Sequence, residues 1–235
     1  MTDNGTVAAT DTVADADHDL VIRIDGQQPL SAETVAAVAV VCGQAEDRGG
    51  PGVVRVEVSG SPEGPRPHDL KVGLVNKWER ILRRLERSGM TTVAIATGDC
   101  GGTALDALLA TDYRIARPDV RLVFPVEDGA TWPGMALYRL SQQTGVARIR
   151  RAVLFGRPIE AAEALDLHLV DELADDPAGA LAASPELAGV LSSPELAIRR
   201  QLMLDATTTS FEEALGSHLA ACDRVLRKAT AGAAS

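Results

Sequence analysis

The sequence predicts an α/β fold of strand–helix–strand units, and three observations carry that prediction. Short runs rich in β-branched and apolar residues recur at Leu20–Ile24, Val53–Val58 and Thr92–Thr97. Between the second and third, Leu70, Leu74, Trp78, Ile81, Leu82 and Leu85 are spaced by threes and fours, as on one face of a helix. A glycine turn, Gly98 to Asp106, then feeds an apolar helix that closes by Asp112.

Each element has its own local warrant. The first strand, Leu20–Ile24, meets a turn at Asp25-Gly26, and Ser31 caps a helix that runs to about Asp47, with Glu33 and Thr34 in its first turn. Val53–Val58 alternates as a second strand, a Gly/Pro-rich loop covers Ser59 to Pro67, and the amphipathic helix occupies Asp69 to Glu86. Beyond the glycine turn come two short strand-like pieces, Tyr113–Ala116 and Val120–Phe124, then a helix beginning at Pro133-Gly134 and a further helical stretch over Arg148–Leu154. A short helix follows over Ile159–Leu167, then an extended piece at Leu169–Leu173, and helices from about Ala178 with start signals at Ser193-Pro194 and Ser210. Residues 1–17 hold few large apolar groups and are expected to be a disordered acidic tail.

Composition narrows the function classes. The 235 residues, 46% hydrophobic, suffice for one large domain with a substantial core. A net charge of −10 argues against a nucleic-acid surface, which needs clustered cations. Three widely spaced cysteines, Cys42, Cys100 and Cys222, form neither a disulfide framework nor a metal-ligand spacing, so no metal is expected. With no apolar run near the roughly 18 residues that span a bilayer and no basic leader, a cytoplasmic protein with no membrane partner is the expectation.

The chemistry concentrates in the glycine turn. Glycines at Gly101 and Gly102 allow close backbone approach, and the first N–H groups of the following helix are free to donate to an anion or oxyanion. Asp106 lies among Leu105, Ala107, Leu108 and Leu109, a setting in which a carboxylate is costly unless paired or used. Other polar candidates read more plainly. Glu127 and Asp128 beside a glycine fit a turn, His68 fits a solvated loop, Cys100 a small turn residue, and Trp78 and Trp132 packing groups.

Three segments resemble the crotonase (enoyl-CoA hydratase/isomerase) superfamily, and the likeness covers about residues 20–228. Residues 92–116 match its strand, glycine turn, core helix and closing D-Y-R-I-A; residues 153–170 resemble its segment around G-R-x-I; Ser193–Arg200 and Phe211–Leu215 resemble its C-terminal helices. The resemblance implies a crotonase-like spiral of ββα units over residues 18–176, with a C-terminal helical oligomerisation or lid region over 177–235. It implies an acyl-CoA thioester as substrate, with coenzyme A carried by the substrate and no separate cofactor, and usually a homotrimer or hexamer. By family register the backbone N–H groups of Arg66 and Thr103 form the oxyanion hole. Asp106 stands where hydratases carry their first glutamate, and His68, Gly102, Trp132 and Gly134 fall beside the substrate. The second glutamate's place is Val126, which argues against ordinary two-glutamate hydration, and the adjacent Glu127 and Asp128 join Asp106 as candidate catalytic carboxylates that a slip of register would bring into that place.

Within the family the short loop before Trp78, the Gly-Asp-Cys-Gly-Gly-Thr turn and the altered second acid look most like the accessory crotonases of dihydroxyphenylglycine biosynthesis. That likeness implies a dehydratase/isomerase assisting a type III polyketide synthase in forming 3,5-dihydroxyphenylacetyl-CoA. A generic hydratase/isomerase, and a non-catalytic partner of the synthase or of a paralogous crotonase, are the alternatives.

Overall fold

The computed structural model describes residues 20–48, 52–64, 67–183 and 194–233. The tail expected over 1–17 and the loop residue Arg66 lie outside them. Strand β1 (Leu20–Asp25), helix α1 (Ala32–Arg48), strand β2 (Val53–Gly60), helix α2 (Val72–Glu86) and strand β3 (Thr91–Cys100) follow one another as two strand–helix–strand units. The three strands pair in parallel, Val54 lying between Leu20 and Thr92. Strand β4 (Tyr113–Ala116) extends the sheet beside β3. A kink lets the end of β3 turn aside to pair with β5 (Arg121–Leu122), the register shifting where Gly60 meets Cys100.

Two sequence expectations need correction here. Gly98, Asp99 and Cys100 belong to β3, not to the turn, because Asp99 and Cys100 still find partners, Gly60 on one side and Arg121 and Leu122 on the other. The turn is therefore only Gly101-Gly102, and helix α3 spans Thr103–Leu109. The amphipathic helix begins at Val72 and not at Asp69, since Asp69 sits in a turn closed by the Leu70 N–H to Pro67 carbonyl bond.

The caps behave as their residues dictate. Ser31 Oγ accepts the Thr34 N–H at 3.1 Å, and Ser210 and Glu213 satisfy each other's backbone N–H groups as a capping box. After β5 the chain makes a small hairpin, β6 (Val126–Glu127) and β7 (Ala130–Thr131), then helices α4 (Met135–Thr144) and α5 (Val146–Phe155). The two-residue strand β8 (Ile159–Glu160), helix α6 (Ala161–Asp166) and strand β9 (Glu172–Leu173) return to the sheet. His168, just past α6, has φ +54, a left-handed setting that residues with side chains seldom adopt. Helices α7 (Pro177–Ala183), α8 (Pro194–Ala206) and α9 (Phe211–Ala233) complete the chain.

The core lies between the sheet and α1, α2 and α3, with Trp78, Leu82, Val56, Ala96 and Leu108 buried together. Arg114 is buried beneath α3, where its guanidinium donates to the Leu109, Thr111 and Leu169 carbonyls and to Gln143. By contrast α9 leaves Phe211, Leu215, Leu219 and Leu226 exposed, at the spacing of one helix face. No helix of the described residues is long and apolar enough to cross a membrane.

Candidate functional site

The ends of the three parallel strands are drawn together by backbone bonds. The Gly26 N–H donates to Ser59 O at 2.7 Å and the Gly101 N–H to Gly60 O at 2.9 Å. The segments leaving these strands, together with α2, α4, residues 123–125 and the β6–β7 hairpin, enclose a pocket of about 280 Å³. Ligand crevices in open parallel sheets form at this end of the strands.

Gly102 turns the chain from β3 into α3 with φ +53, and a Cβ on it would meet Pro62 at 2.7 Å, so the turn requires glycine. Thr103 is the first helical residue and lines the pocket. The Ala104 N–H is taken by Gly101 O and that of Asp106 by Gly102 O, whereas the Thr103 N–H has no backbone acceptor among the described residues. One helical turn on, Asp106 lines the same pocket and is buried. The Trp78 Nε1–H donates to its Oδ2 at 3.1 Å.

Burial first, and the nearby Glu79 charge after it, push the Asp106 carboxyl up to about 7, against the Trp78 bond and the Arg139 charge, which work the other way. Such a group exchanges protons close to neutral pH. Cys100 is fully buried, with its thiol pushed up to about 12 by desolvation, which suits a packing residue and not a nucleophile.

Of the residues singled out in the sequence, Gly102, Thr103, Asp106 and Trp132 converge on the pocket. The others do not. His68 is exposed in the loop after β2, Glu127 and the left-handed Asp128 (φ +51) form the β6–β7 turn, and none of the three lines the cavity. Gly134 caps α4, where a Cβ would sit 2.6 Å from the Trp132 indole, so it supports the pocket wall from behind. Arg66 is outside the described residues. Val126 is exposed and lies over Gly156.

Two further residues line the pocket, and a third holds one of them. Trp78, a packing group by its sequence pattern, is also the donor to Asp106. Glu79 lines the cavity from α2, and Arg139 of α4 grips it, Nη1 to Oε2 at 2.9 Å, while its Nε binds Glu86 Oε1 at 2.6 Å. Burial opposes the Arg139 charge, but Glu86 and Glu79 outweigh it and raise the guanidinium's proton affinity. A signal was present, since Glu79 and Glu86 are seven residues apart beside the apolar face of α2 and therefore share one side of the helix. The described residues hold no group of three side chains suited to a metal ion.

No protein-family profile matches the chain. A curated relative from Amycolatopsis orientalis, named enoyl-CoA-hydratase, is 53% identical over 210 residues, covering 89% of this chain and 97% of that protein. Among solved structures, an enoyl-CoA hydratase of Mycobacterium smegmatis matches with a TM-score of 0.78 at 14% identity, over 94% of this chain and 91% of its own. An enoyl-CoA hydratase/isomerase family protein of Silicibacter pomeroyi gives 0.76 at 18% identity, over 91% and 97%. At such identities these structures establish a shared fold, the α/β crotonase fold with its C-terminal helices.

Proposed function

Because this chain belongs to the enoyl-CoA hydratase (crotonase) superfamily and is an enzyme of the hydratase/isomerase type, we propose that it stabilises the enolate of an acyl-CoA thioester and moves protons on it with Asp106. The Thr103 N–H, which no backbone carbonyl of the described residues takes, hydrogen-bonds the thioester oxygen, and the Arg66 N–H is the second donor by family register. Charge that develops on that oxygen meets the Thr103 donor already in place, the arrangement in which electrostatic stabilisation costs least reorganisation. Asp106 takes a proton from the α-carbon, the C–H electron pair passes into the enolate, and the protonated carboxyl then returns the proton to carbon. Trp132 covers the acyl group from the hairpin side.

For the biological substrate we infer a polyketide thioester made by a type III synthase, from which this enzyme, in the cytoplasm, removes water to form the 3,5-dihydroxyphenylacetyl ring. The short loop before Trp78, the Gly-Asp-Cys-Gly-Gly-Thr turn and Val126 in place of a glutamate support that reading. The exposed apolar face of α9 packs, in this proposal, against further copies of the chain in a trimer or a dimer of trimers.

The observation that carries the reading is a buried carboxyl, with a proton affinity near neutral, on the same helical turn as an unspent N–H. Addition of the purified protein to the synthase and malonyl-CoA tests it. The yield of dihydroxyphenylacetyl-CoA is expected to rise with wild type and to return to the synthase-only level with Asp106→Asn. Full stimulation by a folded Asp106→Asn protein excludes the acid–base role, and an absence of both stimulation and acyl-CoA binding by wild type refutes the proposal.

A further inference from the structure

We propose that Glu79 is the second acid–base carboxylate of this pocket, the group that handles water or the β-hydroxyl in place of the glutamate lost at Val126. The inference rests on the enolate reading above and adds to it a residue on a different element.

Four observations converge. Val126 is 52% exposed on the hairpin, and neither it nor Glu127 nor Asp128 lines the cavity, so this hairpin brings no carboxylate there. Glu79 lines the cavity from α2 together with Asp106 from α3, and its charge is felt by Asp106. Its carboxylate is held in place, because Arg139 Nη1 binds Oε2 at 2.9 Å while Glu86 fixes the same guanidinium from the far side. Finally, the residue before it, Trp78, orients Asp106 through the indole N–H. One turn of α2 thus aligns one carboxyl and supplies another.

Two carboxyl groups in one pocket complete the addition or loss of water. In hydration, Glu79 takes a proton from water as its oxygen bonds to the β-carbon. The π electrons pass into the thioester enolate, and protonated Asp106 gives its proton to the α-carbon. A water then relays the proton from Glu79 to Asp106, which restores both groups. Dehydration runs the same steps backwards, with Asp106 removing the α-proton and Glu79 protonating the departing hydroxyl.

The test separates water chemistry from enolisation on acyl chains of one length. Exchange of the α-protons of butyryl-CoA in D₂O needs the oxyanion donors and Asp106 alone, whereas hydration of crotonyl-CoA needs Glu79 as well. In Glu79→Gln the ratio of hydration to exchange is expected to fall at least about 100-fold, a usual effect of losing one acid–base group. Glu79→Asp should recover part of it. Glu127→Gln removes a hairpin carboxylate that does not line the cavity and should leave the ratio within about threefold, below the change that loss of an acid–base group brings. An unchanged ratio in Glu79→Gln, a proportional loss of both activities, or an equal effect of Glu127→Gln overturns the assignment. Wild type that exchanges butyryl-CoA but does not hydrate crotonyl-CoA overturns the role of Glu79 alone; wild type that does neither overturns the enolate reading with it.

Discussion

Asp106 shows how a site residue is set against the stability of its own fold. Its folded-state proton affinity, near 7, exceeds the ordinary carboxylate value of 3.8 because it is buried. Between about pH 4 and pH 7 the folded protein therefore keeps a proton that the unfolded chain has released, so this group's contribution to stability declines as pH rises through that window. Asp106→Asn removes the ionisation while preserving shape. Its melting temperature should match wild type near pH 4 and exceed it by a widening margin at pH 6 and pH 8; a margin that narrows with rising pH contradicts the assignment. In wild type, kcat/KM for α-proton exchange should climb with a midpoint near pH 7, where the carboxylate base forms. Asp106 was legible in the sequence because its apolar neighbours announce burial. Glu79 was not, because its own neighbours on α2 are compatible with a solvated face, and only the approach of Arg139, 60 residues further along the chain, shows otherwise.

At the scale of elements, the pocket exists because three parallel strands end close enough for their departing loops to touch. Gly26 is where they meet. A Cβ there would lie 2.3 Å from Gly60 O, 2.5 Å from Gly101 O and 2.9 Å from Ala104 Cβ, each on a different element or turn. The Asp25-Gly26 pair reads in the sequence as an ordinary turn, but the glycine is required by crowding. Gly26→Ala should lower the urea stability by about 3 kcal/mol, the scale of an overpacked core, and weaken acyl-CoA binding by displacing the Gly101–Thr103 turn. Unchanged stability and binding in that variant would show that the strand ends yield. The helices and strands were legible from periodicity, while the length of β3 was not. Gly98 and Asp99 look like loop residues, and the strand continues through them because Asp99 and Cys100 pair with β5, a partner more than twenty residues away.

For the molecule as a whole, α9 presents Phe211, Leu215, Leu219 and Leu226 to solvent along one face. Burial of such a face against other copies of the chain is favourable in proportion to the apolar area removed from water. Sedimentation equilibrium should therefore report a mass about three or six times the 24.6 kDa of the chain, and Leu219→Glu should reduce it towards the monomer. A monomeric wild type at micromolar concentration refutes that assembly.

By itself the sequence determined the alternation of strands and helices, the caps at Ser31 and Ser210, and the pairing of Thr103 with Asp106. These are local properties, set by side-chain periodicity and by residues within one helical turn of each other. The tertiary structure alone decided which carboxylate shares the pocket with Asp106, why Val126 and its acidic neighbours do not line it, and which indole and guanidinium bind the two carboxylates. Those contacts join positions 28 to 60 residues apart, and their geometry depends on how the sheet kinks and how α2 and α4 pack across it, which no local pattern encodes.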